Sequence, residues 1–163
     1  MYEEKVLIPK ELEGKYLTFY LMEELYGVSV DWILQIIAIP DITKIPKTPH
    51  YVKGVINLRG KIIPVVDLRL KFDLIEQDYN DRTSIVIIRI KSHDGEIFIG
   101  IIVDIVNEVL DIHSVDIEKT PAFGVDLDTQ FISGMAKVKQ RVVTLLNIAK
   151  ILREVDLEHM TNS

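Results

Sequence analysis

The sequence predicts a mainly β protein made of two similar small barrels and one C-terminal amphipathic helix. Internal repetition is the first reason. Gly27 opens GVSVDWILQIIAI and Gly100 opens GIIVDIVNEVLDI, so glycine, an aliphatic run, an aspartate (Asp31, Asp104) and a closing isoleucine (Ile39, Ile112) recur at an offset of 73. Gly54 then opens GVINLRGKIIPVVDL and Gly134 opens GMAKVKQRVVTLLNI, at an offset of 80. Upstream, Tyr16 to Leu21 (YLTFYL) answers Ile85 to Ile90 (IVIIRI). Two copies at so long a period mean a duplicated module rather than a solenoid. The second reason is the density of short Val/Ile-rich runs cut by glycine and proline. The third is the scarcity of helical periodicity before Asn147. Short twisted strands with glycine corners close readily into small barrels. SH3-like and OB-like barrels fit the pattern equally.

The elements follow in order. Residues 1 to about 14 are polar and read as a loose arm. Tyr16 to Leu21 is aromatic and β-branched, hence a strand, and Tyr26 to Val30 returns after the Glu23-Glu24 turn. Trp32 to Ile39 is apolar without alternation: a buried strand, or one helical turn followed by a strand. Pro40, Pro46 and Pro49 bracket a loop with one short strand at Ile42 to Ile45. Thr48-Pro49 has the form of an N-cap and first helical residue, predicting a single helical turn that stops at Gly54. Val55 to Leu58 and Lys61 to Leu68 form a hairpin across Arg59-Gly60. Pro64 marks an edge or a bulge, because proline has no N–H for the ladder. Phe72 to Arg82 is polar and connects the copies. Thr83 to Ile90 and Ile97 to Val103 form a second hairpin across His93-Asp94-Gly95. Val106 to Ile112 repeats the ambiguous segment of the first copy. Glu118 to Gln130 is a long loop, and Met135 to Val138 with Arg141 to Leu146 is the last hairpin. From Asn147, a plausible cap, Ile148, Ile151, Leu152 and Val155 share one helical face.

Composition excludes several function classes. The chain has 163 residues, long enough to bury a core without covalent staples, and no cysteine, so disulfides and thiolate metal sites are ruled out. The N-terminal residues lack the apolar run and cleavage site of a secretory signal. The apolar stretches fall far short of the roughly 20 residues of a membrane span. Net charge is -6, yet Pro40 to Lys71 holds seven basic residues against two acidic ones. That is either a basic face for an acidic partner or the solvated side of alternating strands.

Catalytic machinery is not visible. His50, His93, His113 and His159 are scattered, and none has metal-ligand spacing with another. Asp126 and Asp128 share a loop, a weak cation signal without further oxygen ligands. Gly54 to Gly60 lacks both phosphate-loop patterns, and no serine sits in a G-x-S-x-G elbow. Asp31 and Asp104, equivalent in the two copies, are expected to do one structural job twice, such as capping a turn. No metal or cofactor is expected. A hydrophobic share of 48% points instead to surface covered by partners.

Residues 48 to 72, TPHYVKGVINLRGKIIPVVDLRLKF, closely resemble the signature segment of CheW-type chemotaxis coupling proteins. Lys53 to Gly60 and Ile63 to Leu68 are its most specific part. The resemblance continues through Tyr16 to Leu21, Tyr26-Gly27-Val28, Gly100 to Asp104, and the terminal Leu-Asn-Ile-Ala-Lys-Ile-Leu. It implies a single CheW-like domain over 1–163, with a first five-stranded barrel at about 16–80 and a second plus helix at about 81–159, interlocked so that strands exchange between copies. It further implies a cytoplasmic adaptor without enzymatic activity, recruited to the inner membrane face. Such an adaptor couples the cytoplasmic tips of chemoreceptors to the regulatory domain of the histidine kinase CheA. The family pattern carries contact roles onto Lys53, Gly54 and Arg59, onto Ile36 and the preceding Gln35, onto Val109 as a groove position, and onto Phe123 as the aromatic of a second kinase contact. Gln35 departs from the family, which commonly has Glu there, whereas the second copy keeps Glu108.

A different class, a pair of nucleic-acid-binding barrels using the basic stretch, is weaker. Base stacking needs aromatics among the cations, and only Tyr51 and Phe72 lie there. No nucleic-acid partner is expected, and no insertion into a membrane.

Overall fold

A computed structural model describes residues 9–92, 95–118 and 131–153. Among these, eleven strands form two sheets: β1 (Gly14–Leu21), β2 (Glu24–Ser29), β3 (Ile33–Ala38), β4 (Val52–Leu58), β5 (Lys61–Asp67), β6 (Ser84–Ser92), β7 (Gly95–Val103), β8 (Ile105–Ile112), β9 (Ile117–Glu118), β10 (Ile132–Val138) and β11 (Arg141–Leu146). Helices are short, α1 (Leu68–Lys71) and α2 (Ile148–Arg153). One sheet runs β8-β1-β2-β11-β10-β9 and the other β3-β6-β7-β5-β4.

Hydrophobicity on both strand faces explains why the sheets need each other. In β6, Ile85 and Ile87 face a core inside the second sheet with Ile56, Ile63 and Val65. Val86 and Ile88 face the opposite way, into a layer shared with Leu17, Phe19 and Val28 of the first sheet. Tyr16 of β1 faces a third core with Leu110, Val143 and Leu145. A strand buried on both faces reads as an unbroken apolar run, which is why alternation fails in these segments. Phe19, Tyr26, Phe72 and Phe131 stack in sequence through the shared layer, with centroids 6.2, 6.0 and 6.5 Å apart.

Neither sheet coincides with one half of the sequence. β1 and β2 pair with β8 and β11, whereas β6 and β7 pair with β3 and β5. The two parallel joints are the same joint twice: Gly27 lies opposite Leu145 and Gly100 opposite Val65. A Cβ on Gly100 would sit 2.7 Å from Ile85 Cγ2, and one on Gly27 would sit 3.2 Å from Val143 Cγ1. At Gly27 the missing Cβ leaves room for Val143 across the parallel joint, whereas at Gly100 it leaves room for Ile85 of the antiparallel neighbour β6.

The duplication extends to single hydrogen bonds. Asp67 caps α1 through Arg69 N–H at 2.9 Å, and Asn147, its equivalent in the second copy, caps α2 through Lys150 N–H at 3.1 Å. The Asp67 N–H donates to Tyr51 O and the Asn147 N–H to Phe131 O, both at 2.8 Å. Arg59-Gly60 and Lys139-Gln140 both have positive φ, as a type I′ hairpin turn requires.

Several expectations are corrected. Among the described residues the hydrogen-bonded sheets have six and five strands and do not close into five-stranded barrels. β9 holds only two residues, and the stretch between β3 and β4 contributes a single bridge, Thr43 to Val55, so the ladders stay open. Pro49 to Val52 form a turn, with Val52 N–H on Pro49 O at 3.0 Å, and β4 begins at Val52, so no helical turn forms. Trp32 to Ile39 follows the second of its two expected readings, a 3-10 turn (Val30–Trp32) leading into β3, whereas its counterpart is strand throughout. Pro64 is on neither an edge nor a bulge. Val55, opposite it, exchanges both backbone bonds with Thr43, so the pair is non-hydrogen-bonded. β7 begins to pair with β5 only at Val65, so no partner awaits an N–H at Pro64.

Gly54 has φ 142°, and a Cβ there would run into the Thr43 carbonyl. Gly54→Ala should therefore cost about 1–3 kcal/mol of stability, read as a lower urea midpoint at unchanged slope. Gly134→Ala, where the nearest atom is the side-chain end Leu12 Cδ1 at 3.2 Å rather than backbone, should cost less. Burial raises the phenols of Tyr16 and Tyr26 above the ordinary value of 10.0. A raised acid pKa keeps its full contribution below the unfolded value and loses it above, so the urea midpoint should hold to about pH 10 and then fall.

Candidate partner-docking site

The strand edges that the ladders leave open carry the exposed apolar residues. Ile36 of β3 pairs with Val86, and Val109 of β8 pairs with Leu17. Both partners belong to the layer between the sheets. Ile36 (42% exposed) and Val109 (52%) are therefore the solvent-facing margins of that dry layer. They are also equivalent positions of the two copies. Leu34 joins Ile36 on β3. Ile62 (66% exposed) and Val142 (55%), a second equivalent pair, stand at the β4–β5 and β10–β11 hairpins.

A polar clasp crosses each margin. The Arg59 guanidinium, at the β4–β5 tip, donates to Gln35 Oε1 at 3.3 Å. β3 and β4 are opposite edges of one sheet, so the sheet curls far enough for a side chain to bridge them. In the other sheet Arg141 donates to Glu108 Oε1 at 3.1 Å and reaches the Tyr20 hydroxyl at 3.5 Å. The first clasp is a cation on a neutral amide; the second is an ion pair.

The remaining expected residues are dispersed. Lys53 is tied down by Glu76 at 2.6 Å, which holds the Glu76 carboxyl below the usual range. Gly54 is buried under Thr43, a backbone duty independent of any partner. Phe123 lies outside the described residues, as do Asp126, Asp128, His93 and His159. The structure thus brings Gln35, Ile36 and Arg59 together on one sheet and puts Val109 on the other. Leu34, Ile62, Val142 and the Glu108–Arg141 pair were missed in the sequence. The offset of 73 carries Gln35 and Ile36 onto Glu108 and Val109, but the offset of 80 carries Arg59 onto Lys139 and not onto Arg141, whose counterpart is Lys61.

The connector Phe72 to Arg82 is not a bare linker. Arg69, buried at the α1 start, ion-pairs with Asp104 and donates to Gln77 Oε1 at 2.6 Å and Ile75 O at 3.2 Å. Asp104 also accepts from Met22 N–H at 2.7 Å, and Tyr79 donates to Asp67 at 2.7 Å. Desolvation first, then that hydrogen bond, push the Tyr79 phenol upward. Asp31, by contrast, is exposed, and its N–H donates to Ser29 Oγ at 3.3 Å. The two aspartates therefore do different jobs; the shared job belongs to Asp67 and Asn147. The cleft around Arg69 is satisfied internally: among the described residues no buried side-chain polar atom lacks a partner.

The family model of the CheW-like domain matches residues 15–156. This chain belongs to the CheW-like family. Chemotaxis protein CheW of Thermotoga maritima is 35% identical over 154 residues, covering 94% of this chain and 97% of that one. CheW of Klebsiella aerogenes is 32% identical over 91% of this chain and 87% of its own. The solved structure of the scaffolding protein TtCheW from Thermoanaerobacter tengcongensis superposes with a TM-score of 0.77 at 34% identity, covering 89% and 95% of the two chains. This CheW-like chain shares its mainly β architecture with that scaffolding protein. Among the described residues no helix is long and apolar enough to cross a membrane.

The Arg69–Asp104 pair is largely buried and has no counterpart in the other copy, where Ala149 stands at the position equivalent to Arg69. Asp104→Ala should cost about 3–5 kcal/mol in thermal or urea unfolding. Asp31→Ala at the equivalent exposed position should stay within about 0.5 kcal/mol.

Proposed function

We propose that this chain is a chemotaxis adaptor that performs no catalysis and joins the cytoplasmic tips of chemoreceptors to the histidine kinase CheA. The observation that carries this reading is the pair of equivalent apolar margins, Ile36 and Val109, on a chain of the CheW-like family. A connector needs two surfaces at once, and duplication supplies two from one fold. Apolar residues ringed by polar clasps are the usual composition of a protein-binding patch. The receptor's helical hairpin docks along the margins, with Ile36, Arg59 and Val109 in contact. The kinase's own CheW-like regulatory domain takes the ends of the sheets, with Phe123 in the second kinase contact. Lys53 acts indirectly, holding the connector through Glu76.

Each curled sheet is the wall of one barrel-like unit in this reading. The units correspond to about 16–80 and 81–159, with the β1–β2 and β6–β7 hairpins traded between them. The matching parallel joints at Gly27 and Gly100 support that trade. The adaptor works in the cytoplasm and reaches the inner membrane face only through receptors.

Co-sedimentation with receptor tips and kinase, each omitted in turn, tests the assignment. The wild-type chain should pellet with receptor and increase the kinase recovered. Arg59→Glu should keep its unfolding midpoint and bind receptor about tenfold more weakly, ~1.4 kcal/mol. Undiminished assembly of that variant would remove Arg59 from the site. A wild-type chain that ignores both partners would end the reading.

A further inference from the structure

The two margins differ at one charged position: residue 35 is the neutral Gln35 and its equivalent is the carboxylate Glu108. At the β8 margin Glu108 neutralises Arg141 within the chain, and both lie at the surface. At the β3 margin the equivalent position is Gln35, whose amide holds Arg59 by a hydrogen bond but cannot neutralise it. Among the described residues no carboxylate forms an ion pair with Arg59, whereas Lys53 at the far end of β4 is paired with Glu76. Lys61, next to the tip, lies over the Phe98 ring at 4.3 Å, which leaves its charge uncompensated as well. The β3 edge therefore presents net positive charge beside Leu34, Ile36 and Ile62, in a chain whose net charge is -6.

We infer that Gln35 is a specificity-determining residue: it leaves Arg59 unneutralised, so that the β3 margin selects an amphipathic helix carrying carboxylates beside its apolar stripe more strongly than the β8 margin, where Glu108 answers Arg141. The inference rests on the adaptor reading above, because it takes the margins to be docking surfaces. A helix laid along the open β3 edge meets Ile36 on the outer face. It meets Arg59 at the rim, where the guanidinium can exchange the Gln35 amide for a carboxylate. A charge-assisted bond is the stronger of the two, and the exchange leaves no buried group unpaired. A glutamate at position 35 would hold Arg59 internally and repel an incoming carboxylate. The cost of the present arrangement is small, since the group stays in solvent when unbound.

The probe is a helix-stapled peptide with glutamates flanking a leucine stripe, compared with the same peptide carrying glutamines. Binding is followed by fluorescence anisotropy at low and high salt, and the contacted face by amide chemical shifts. The glutamate peptide should bind the wild-type chain about fivefold more tightly at low salt, with shifts centred on Ile36 and Ile62. The preference should shrink at high salt, as expected for an exposed charge. Gln35→Glu should abolish it without changing the unfolding midpoint. Glu108→Gln, which frees Arg141, should create a second, salt-sensitive site around Val109 and Val142. Equal affinity for the two peptides, no binding of either, or an unchanged preference in Gln35→Glu would overturn the inference. Those results with receptor co-sedimentation intact would leave the adaptor reading standing; failure of co-sedimentation would remove that reading on separate grounds.

Discussion

A β strand with apolar side chains on both faces must be covered on both, and this constraint organises the molecule. β6 and β7 cannot sit at the surface of any sheet, because Ile85, Ile87 and Ile102 need one core while Val86, Ile88, Ile99 and Ile101 need another. β1 carries the same demand through Tyr16 on one side and Leu17 and Phe19 on the other. A single small sheet offers one interior only. Two sheets back to back offer three layers, and each two-faced hairpin then lies in a sheet completed by strands from the other half. The parallel joints at Gly27 and Gly100 are where that completion happens, and at Gly27 the missing Cβ leaves room for Val143 across the joint.

Much of this is legible in the sequence, and the reasons for the rest are specific. The repeat, the hairpins at Arg59-Gly60 and Lys139-Gln140, and the Asn147 cap are local features, and local patterns encode them directly. Which half completes which sheet is not local. Nothing between Tyr16 and Leu21 states that its neighbour is Ile105 to Ile112 rather than a strand of its own copy. Glycine corners favour closed barrels, whereas closure depends on the two-residue β9 and on the stretch before β4, whose pairing no periodicity reports. The Thr48-Pro49 segment reads as helical because its capping residues are shared by turns.

The candidate site divides in the same way. Arg59 is visible as a hairpin-tip residue with no packing duty, and the family pattern points at Ile36, Gln35 and Val109. Their physical relation is not visible. That Ile36 and Val109 are the two exposed ends of one buried layer follows only from the pairings Ile36 to Val86 and Val109 to Leu17. Lys53 and Gly54 sit in the most specific segment, yet the structure gives them internal partners, Glu76 and Thr43. The most specific part of the sequence signature therefore includes residues whose duty is internal to the fold.

Two arginines at either end of β5 show how the chain separates these roles. Arg69 is buried, and an unpaired guanidinium there would carry the full cost of desolvation. It is accordingly saturated by Asp104, Gln77 and Ile75, and joins α1, the connector and the β7–β8 junction. Arg59 is exposed, so leaving its charge unmatched costs almost nothing in the free protein. Only an exposed charge can remain available for an intermolecular partner, and only a rigid edge can hold it beside Ile36 in a fixed relation. The Arg69–Asp104 pair lies beyond the opposite end of the same strand and ties α1 to the β7–β8 junction, a duty internal to the fold.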